Sequence, residues 1–167
     1  MTDRLPTFTD LIDLATERAG GAVLLANDEF FAPKENLVRA EPPVWRADEY
    51  TERGKWMDGW ETRRRRGSGH DWCVVRLARP GRVHGVDLDT SHFTGNFPPA
   101  ASLEGCRVDG GDPGADTQWL PLVPAVDLHG NRHHYLAVAN DAVCTHVRIN
   151  LFPDGGLARF RVLGELG

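Results

Sequence analysis

The stretch Gly54-Lys55-Trp56-Met57-Asp58-Gly59-Trp60-Glu61-Thr62-Arg63-Arg64-Arg65-Arg66, followed closely by Gly69-His70-Asp71-Trp72, packs acids, guanidinium groups, aromatics and an imidazole into one short span. Arginine offers a planar fork of donors that matches a carboxylate, while Asp58 and Glu61 can accept hydrogen bonds from amide or ureido N–H groups. Together they suit a small anionic substrate rich in urea-like nitrogen. The competing expectation is structural: acids and arginines in loops commonly form solvated ion pairs, and tryptophans there close the end of a core. For Arg65 and Arg66 the solvated expectation prevails, because a run of arginines does not aim every member at one point.

Two further stretches carry polar groups in suggestive order. Asp87-Leu88-Asp89-Thr90-Ser91-His92-Phe93-Thr94-Gly95-Asn96 places carboxylates at a strand end beside a histidine and an amide. Those groups suit substrate or a cation, against the alternative that Asp89 and Thr90 merely cap a turn. Asn27-Asp28-Glu29-Phe30-Phe31 leads to Glu35-Asn36, so aromatics anchor a segment whose acids and amides remain available. His129, His133 and His134 surround Gly130-Asn131, a turn rather than a helix, so their spacing does not make a metal site. No metal or cofactor is expected.

Composition narrows the class of protein. A chain of 167 residues with 41% hydrophobic content can bury a core without staples. A formal charge of -5, with one basic knot at Arg63 to Arg66 rather than a basic face, argues against a nucleic-acid partner. The first residues mix Arg4, Asp10 and Asp13 with apolar ones, so neither leader nor membrane span is expected. Three widely spaced cysteines, Cys73, Cys106 and Cys144, suggest no disulfide framework and point to a reducing cytoplasm.

The elements that position these residues follow from periodicity. Phe8, Leu11, Ile12 and Ala15 recur at helical spacing, which predicts a short amphipathic helix over 7–19, ended by Gly20 and Gly21. Residues 1–19 are therefore set apart as a helical segment from a domain over 20–167. Beyond the glycines, strands are expected at Val23–Ala26, Trp72–Leu77, Val83–Asp89, Ser102–Val108, near Trp119–Val123 and at His134–Ala139. Arg79-Pro80-Gly81-Arg82 reads as a tight turn making a hairpin of the second and third. Thr145 to Leu151 and Ala158 to Val162 alternate around Pro153-Asp154-Gly155-Gly156, which reads as another hairpin. Phe30 to Gly69 is expected to be irregular. An all-β antiparallel sandwich results.

Particular residues also carry a family likeness. Asp28, Phe31-Ala32, Glu35-Asn36-Leu37, the block Gly54 to Arg64, Asp89-Thr90, Phe93, Gly95-Asn96 and Pro153-Asp154-Gly155-Gly156-Leu157-Ala158-Arg159 closely resemble the first repeat of allantoicases, over about Gly20 to Gly164. The resemblance implies a galactose-binding-like jelly roll and hydrolysis of allantoate to ureidoglycolate and urea. Such enzymes carry two repeats, so activity would require self-association into a homo-oligomer or a second allantoicase repeat. A chain of this length also leaves open a non-enzymatic binding module, an inactive relative or a piece of a longer enzyme.

Within that frame Arg63 or Arg64 would clamp the substrate carboxylate, and Asp58 and Asn96 would orient its ureido groups. Glu61 is the first choice of general base, with His70 an alternative able to protonate the departing urea nitrogen. Asp28, Asn36, Lys55, Trp60 and Asp89 complete the expected substrate-binding set.

Overall fold

The structure is a computed structural model that describes residues 4–167; the start of the expected 1–19 segment lies outside the described residues. The rest of that segment is not one helix. Thr7–Asp10 makes a 3-10 turn, Ile12–Asp13 is a short strand (β1), and Glu17–Ala19 makes a second 3-10 turn. Helical spacing is overridden because the sheet supplies other backbone partners. Leu14 N–H donates to Val162 O at 2.7 Å, and Ala78 N–H donates to Leu14 O at 2.8 Å. The Asp13 carboxylate accepts from the N–H groups of Ala15 and Val162, both at 3.0 Å, and a side chain that captures backbone donors competes with helix. Leu14 and Ala15 consequently enter the core while Ile12 faces solvent.

The remaining strands are β2 (Ala22–Ala26), β3 (Tyr50–Thr51), β4 (Gly54–Lys55), β5 (Trp60–Glu61), β6 (Asp71–Asp89), β7 (Ala100–Cys106), β8 (Leu120–Asp127), β9 (His133–Ala137), β10 (Val143–Phe152), β11 (Gly156–Leu157) and β12 (Arg159–Leu166). The long β6 belongs to both layers of a sandwich. Its first half pairs with β2 and β10, as at Val23↔Val75 and Val147↔Val75. Its second half pairs with β12 and β9, as at Val162↔Val86 and Leu136↔Val86. Outward from β10 come β7 and then β8, while β1 edges β12, and every pairing is antiparallel.

Two expected hairpins are corrected by this topology. Arg79-Pro80-Gly81-Arg82 is not a turn: β6 runs straight through it, with a bulge that takes the β10 register from Gly81 to Arg76 while β10 advances only from Cys144 to His146. A bulge uses the same Pro and Gly as a turn, because it too needs a residue outside the ladder and a close backbone approach. At Gly81 a Cβ would lie 2.6 Å from Glu165 O and 2.7 Å from a Leu14 methyl. Likewise β10 and β12 do not pair with each other. Alternation tells which side of a strand is buried, not which strand lies beside it. Here β11 leaves to pair with β5, and β12 joins the opposite layer.

The core lies between the layers. Val147, Ile149 and Leu151 of β10 face Val86, Leu88, Phe160 and Val162 of β6 and β12, and all are 0% exposed. The outer face of β12 is covered too. The largely irregular run from Phe30 to Gly69, which includes a 3-10 turn at Lys34–Val38, wraps across it. Arg161 donates to the carbonyls of Arg39 and Ala40, and Arg159 Nε donates to Glu41 O at 2.8 Å. Arg159 Nη2 also donates to Asp58 Oδ2 at 2.9 Å, with Arg159 only 1% and Asp58 only 6% exposed.

Burial alone would raise the Asp58 carboxyl, but the Arg159 hydrogen bond and the Val44 N–H outweigh it and hold the group below its ordinary value. A lowered carboxylate stabilises the fold fully above its unfolded value, and that contribution is lost as pH falls through the folded one. Asp58→Ala leaves the Arg159 guanidinium buried without its acid and is expected to cost about 3–5 kcal/mol. Urea-denaturation midpoints check this; a loss within about 0.5 kcal/mol, the range of an ordinary surface change, sinks it.

Candidate functional site

Strand β5 sets the site by alternation. Trp60 turns inward, fully buried, and its Nε1–H donates to Asp28 O at 2.8 Å, while Glu61 turns the other way into a cleft of about 240 Å³. The strand is held on both sides: Glu61 lies opposite Gly156 of β11 and bridges Ala32, whose carbonyl accepts from Glu61 N–H at 3.1 Å. Gly156 N–H donates to Asn96 O at 2.8 Å, which fixes the loop after β6 against the same strand. Gly155, at φ 142°, allows this approach, since a Cβ there would sit 2.5 Å from Pro98 N.

Asn96 Nδ2 donates to Glu61 Oε2 at 3.0 Å. Burial raises the Glu61 carboxyl above its ordinary value, and the Asn96 hydrogen bond only partly offsets this. Arg64, Phe31, Phe97 and Asp154 shape the rest of the cleft. Arg64 forms no ion pair among the described residues, whereas Asp154 is engaged through Oδ2 by the Arg65 N–H at 2.7 Å. The cleft thus combines a half-buried acid whose charged form is disfavoured, an amide and an uncommitted guanidinium.

The structure brings together Glu61, Asn96 and Arg64 and disperses the other expected residues. Arg63 points away from its neighbour, as adjacent residues of an extended segment do, and its Nε lies 2.9 Å from Asp28 Oδ2 in a separate depression roofed by Phe30. Asp58 is consumed by Arg159: Nη1 sits 2.9 Å from Oδ1 while also donating to the carbonyls of Ala158 and Asp58, so this acid anchors the loop and does not reach the cleft. Asn36 donates to Gly59 O at 3.0 Å, and Lys55 caps the carbonyls of Arg46 and Ala47 beneath Trp45 and Tyr50. Asp89, 1% exposed, holds Ser91.

His70 is not beside Glu61. Its ring packs on Phe152 with Nε2 3.1 Å from Asn150 Oδ1, in a groove on the outer face of β10 shared with Trp72 and Arg148. Arg65 corrects the solvated expectation: Nη1 donates at 2.8 Å to Asp71, an acid 1% exposed. Asp154 and Gly155, whose residue types signal only a turn, also line the cleft and stand in the run that resembles the family. Among the described residues no group of three or more His, Cys, Asp and Glu is placed to share a metal ion.

A two-layer antiparallel sandwich, with its candidate site on the loops and short strands beyond the main sheet, defines a jelly-roll module of the galactose-binding-like class. The third CBM32 module of a family 31 glycoside hydrolase from Clostridium perfringens has the same fold at TM-score 0.64 and 11% identity, over 97% of this chain and 100% of that one. The family is given by sequence: the allantoicase repeat model matches residues 12–167, and the chain belongs to the allantoicase family. Probable allantoicase 2 of Burkholderia mallei is 60% identical over 161 residues, which are 96% of this chain and 48% of the relative. The crystal structure of allantoicase from Saccharomyces cerevisiae superposes at TM-score 0.81 with 30% identity, covering 93% of this chain and 48% of that one. The chain therefore spans about half the length of the relatives it matches.

Asn96→Ala removes the side-chain hydrogen bond that, among the described residues, favours the charged form of Glu61, so the Glu61 midpoint is expected to move further up. Carboxyl-carbon NMR titration reads it directly; an unchanged or lower midpoint contradicts the assignment of Asn96.

Proposed function

We propose that this chain supplies one repeat of an enzyme of purine breakdown that cleaves allantoate to ureidoglycolate and urea, with the Glu61 cleft as the substrate site. The supporting observation is the half-buried Glu61 carboxyl, held above its ordinary value, with Asn96 as its side-chain partner and Arg64 free to meet an anion.

Allantoate carries a carboxylate and two ureido groups on one carbon. Arg64 holds the carboxylate, and Asn96 orients a ureido group. Protonated Glu61 gives its proton to the nitrogen of the departing ureido group as that C–N bond breaks. The lone pair of the remaining ureido nitrogen supports the carbon. Water then adds to this carbon while the Glu61 carboxylate takes a proton from it, so one C–N bond is exchanged for one C–O bond, urea leaves, and Glu61 is restored. An acid whose charged form is disfavoured by desolvation is a better proton donor than an ordinary carboxylate, and as a carboxylate it is a better base. Glu61 thus serves as both base and proton donor, and His70, in a separate groove, takes no part.

Asn36, Lys55, Asp58 and Trp60 position the loop, and Asp28 with Arg63 borders it. A second domain of the same fold, from another copy or from a longer chain, is the proposed partner, because the relatives are about twice as long. A reducing compartment such as the cytoplasm suits Cys73, Cys106 and Cys144, all unpaired and buried. No helix of the described residues is long and apolar enough to cross a membrane.

Urea release from allantoate tests this proposal, with the chain assayed alone and mixed with the second repeat of a full-length relative. Glu61→Gln is expected to lower kcat by about 10²- to 10⁴-fold and Arg64→Ala to raise KM, while His70→Gln stays near the parent rate. Folded Glu61→Gln with full turnover removes Glu61 from the reaction. No urea from either preparation favours a binding module instead.

A further inference from the structure

A second cleft, of about 390 Å³, shares no lining residue with the Glu61 cleft and takes in Asp89, Ser91 and His92, which the proposed reaction leaves unused. Its base is the outer face of β6 and β9. Asp87, 5% exposed, lies beneath His133, with Oδ2 at 2.7 Å from His133 Nδ1, so the acid fixes the ring and leaves Nε2 as its free nitrogen. The other oxygen of Asp87 has no hydrogen-bond partner among the described residues. Asp89 Oδ1 accepts from Ser91 N–H at 2.8 Å and from Ser91 Oγ at 2.5 Å, and Asp89 Oδ2 lies 3.8 Å from His133 Nδ1.

The loops that border this face are built at a conformational cost. His92 and Asn131 both take left-handed backbone conformations, at φ 71° and 54°, and are locked to each other by the His92 N–H donating to Asn131 Oδ1 at 2.9 Å. Thr90 Oγ secures this arrangement by donating to His129 O at 2.6 Å and accepting from Arg132 N–H at 3.2 Å. The result presents the His92 imidazole, stacked at 6.0 Å on exposed Trp45, to the cleft. Arg161 enters the same space with its donors on neutral carbonyls and its nearest carboxylate, Asp13, 3.8 Å away.

The cleft therefore offers the positive charge of Arg161, ring and amide donors from His92 and Asn131, and acceptors from Asp89 and His133. We propose that this cleft is a second ligand site for a small carboxylate bearing ureido or amide nitrogen, with the carboxylate on Arg161 and His92 and the N–H groups on Asp89 and His133. The assignment stands on these lining groups alone and does not depend on the Glu61 reaction.

N-carbamoylglycine, titrated into the parent protein and into Glu61→Gln while the ring resonances of His92 and His133 are followed by NMR, tests it. Both resonances are expected to shift saturably in both proteins. Acetate or urea alone should bind about tenfold more weakly, and His92→Ala should weaken the ureido acid by about tenfold, as loss of one hydrogen bond to a charged group does. Resonances that stay fixed up to about 10 mM ligand, shifts that vanish in Glu61→Gln, or an acetate curve equal to that of the ureido acid each overturn the proposal. If His92→Ala does not fold, the titration of the parent protein decides. Failure of urea release together with saturable His92 and His133 shifts defeats only the hydrolytic reading.

Discussion

The buried pair of Arg159 and Asp58 is the constraint on which the working end of this domain depends. The run from Phe30 to Gly69 has little regular structure of its own to hold it in place. It is held because β12 turns two arginines outward, Arg159 and Arg161, and these collect the carbonyls of residues 39, 40, 41 and 58 together with one carboxylate. Removing two ions from water is costly, and a pair so placed adds little net stability over an apolar substitute. What it adds is direction. A guanidinium fork satisfied by several acceptors fixes the geometry of the loop at Asp58, only a few residues before Glu61.

From that anchor the rest of the site follows by short-range alternation. Once Asp58 is held, Gly59 lies flat against β11, Trp60 goes into the core, Glu61 faces the cleft, Thr62 exchanges hydrogen bonds with Gly155, and Arg63 and Arg64 diverge. The arginine run is thereby distributed: Arg63 to Asp28, Arg64 to the cleft, Arg65 to the buried Asp71. Three successive equal charges acquire different surroundings because an extended chain sends successive side chains to opposite sides.

Much of this was legible in the residues. The all-β class, the irregular segment and the inward faces of β6 and β10 are written in alternation, which depends only on which side of a strand meets apolar matter. Pairing partners are not written there. The bulge at Pro80-Gly81 and the separation of β10 from β12 depend on what the other layer offers, as does the replacement of the expected helix by β1, where Asp13 and Leu14 bond to Val162. In the site, Glu61, Asn96 and Arg64 come together, but Asp58, Asn36 and Trp60 stand in the same motif for structural reasons. Residue types alone do not separate them, because a carboxylate that anchors and one that exchanges protons are chemically alike until their neighbours are known.

Those neighbours act in opposite senses on two acids of one short loop. Asp58 meets a guanidinium and a backbone N–H, and its charged form is favoured despite burial; Glu61 is also desolvated but meets only a neutral amide, and its charged form is disfavoured. An acid locked in its charged form is an effective anchor and a poor proton carrier, whereas one raised towards neutrality can both give and take a proton. The sheet creates this difference by aiming Arg159 at one of them and nothing charged at the other. The division of labour within the motif is thus set by β12, a strand about one hundred residues away in sequence.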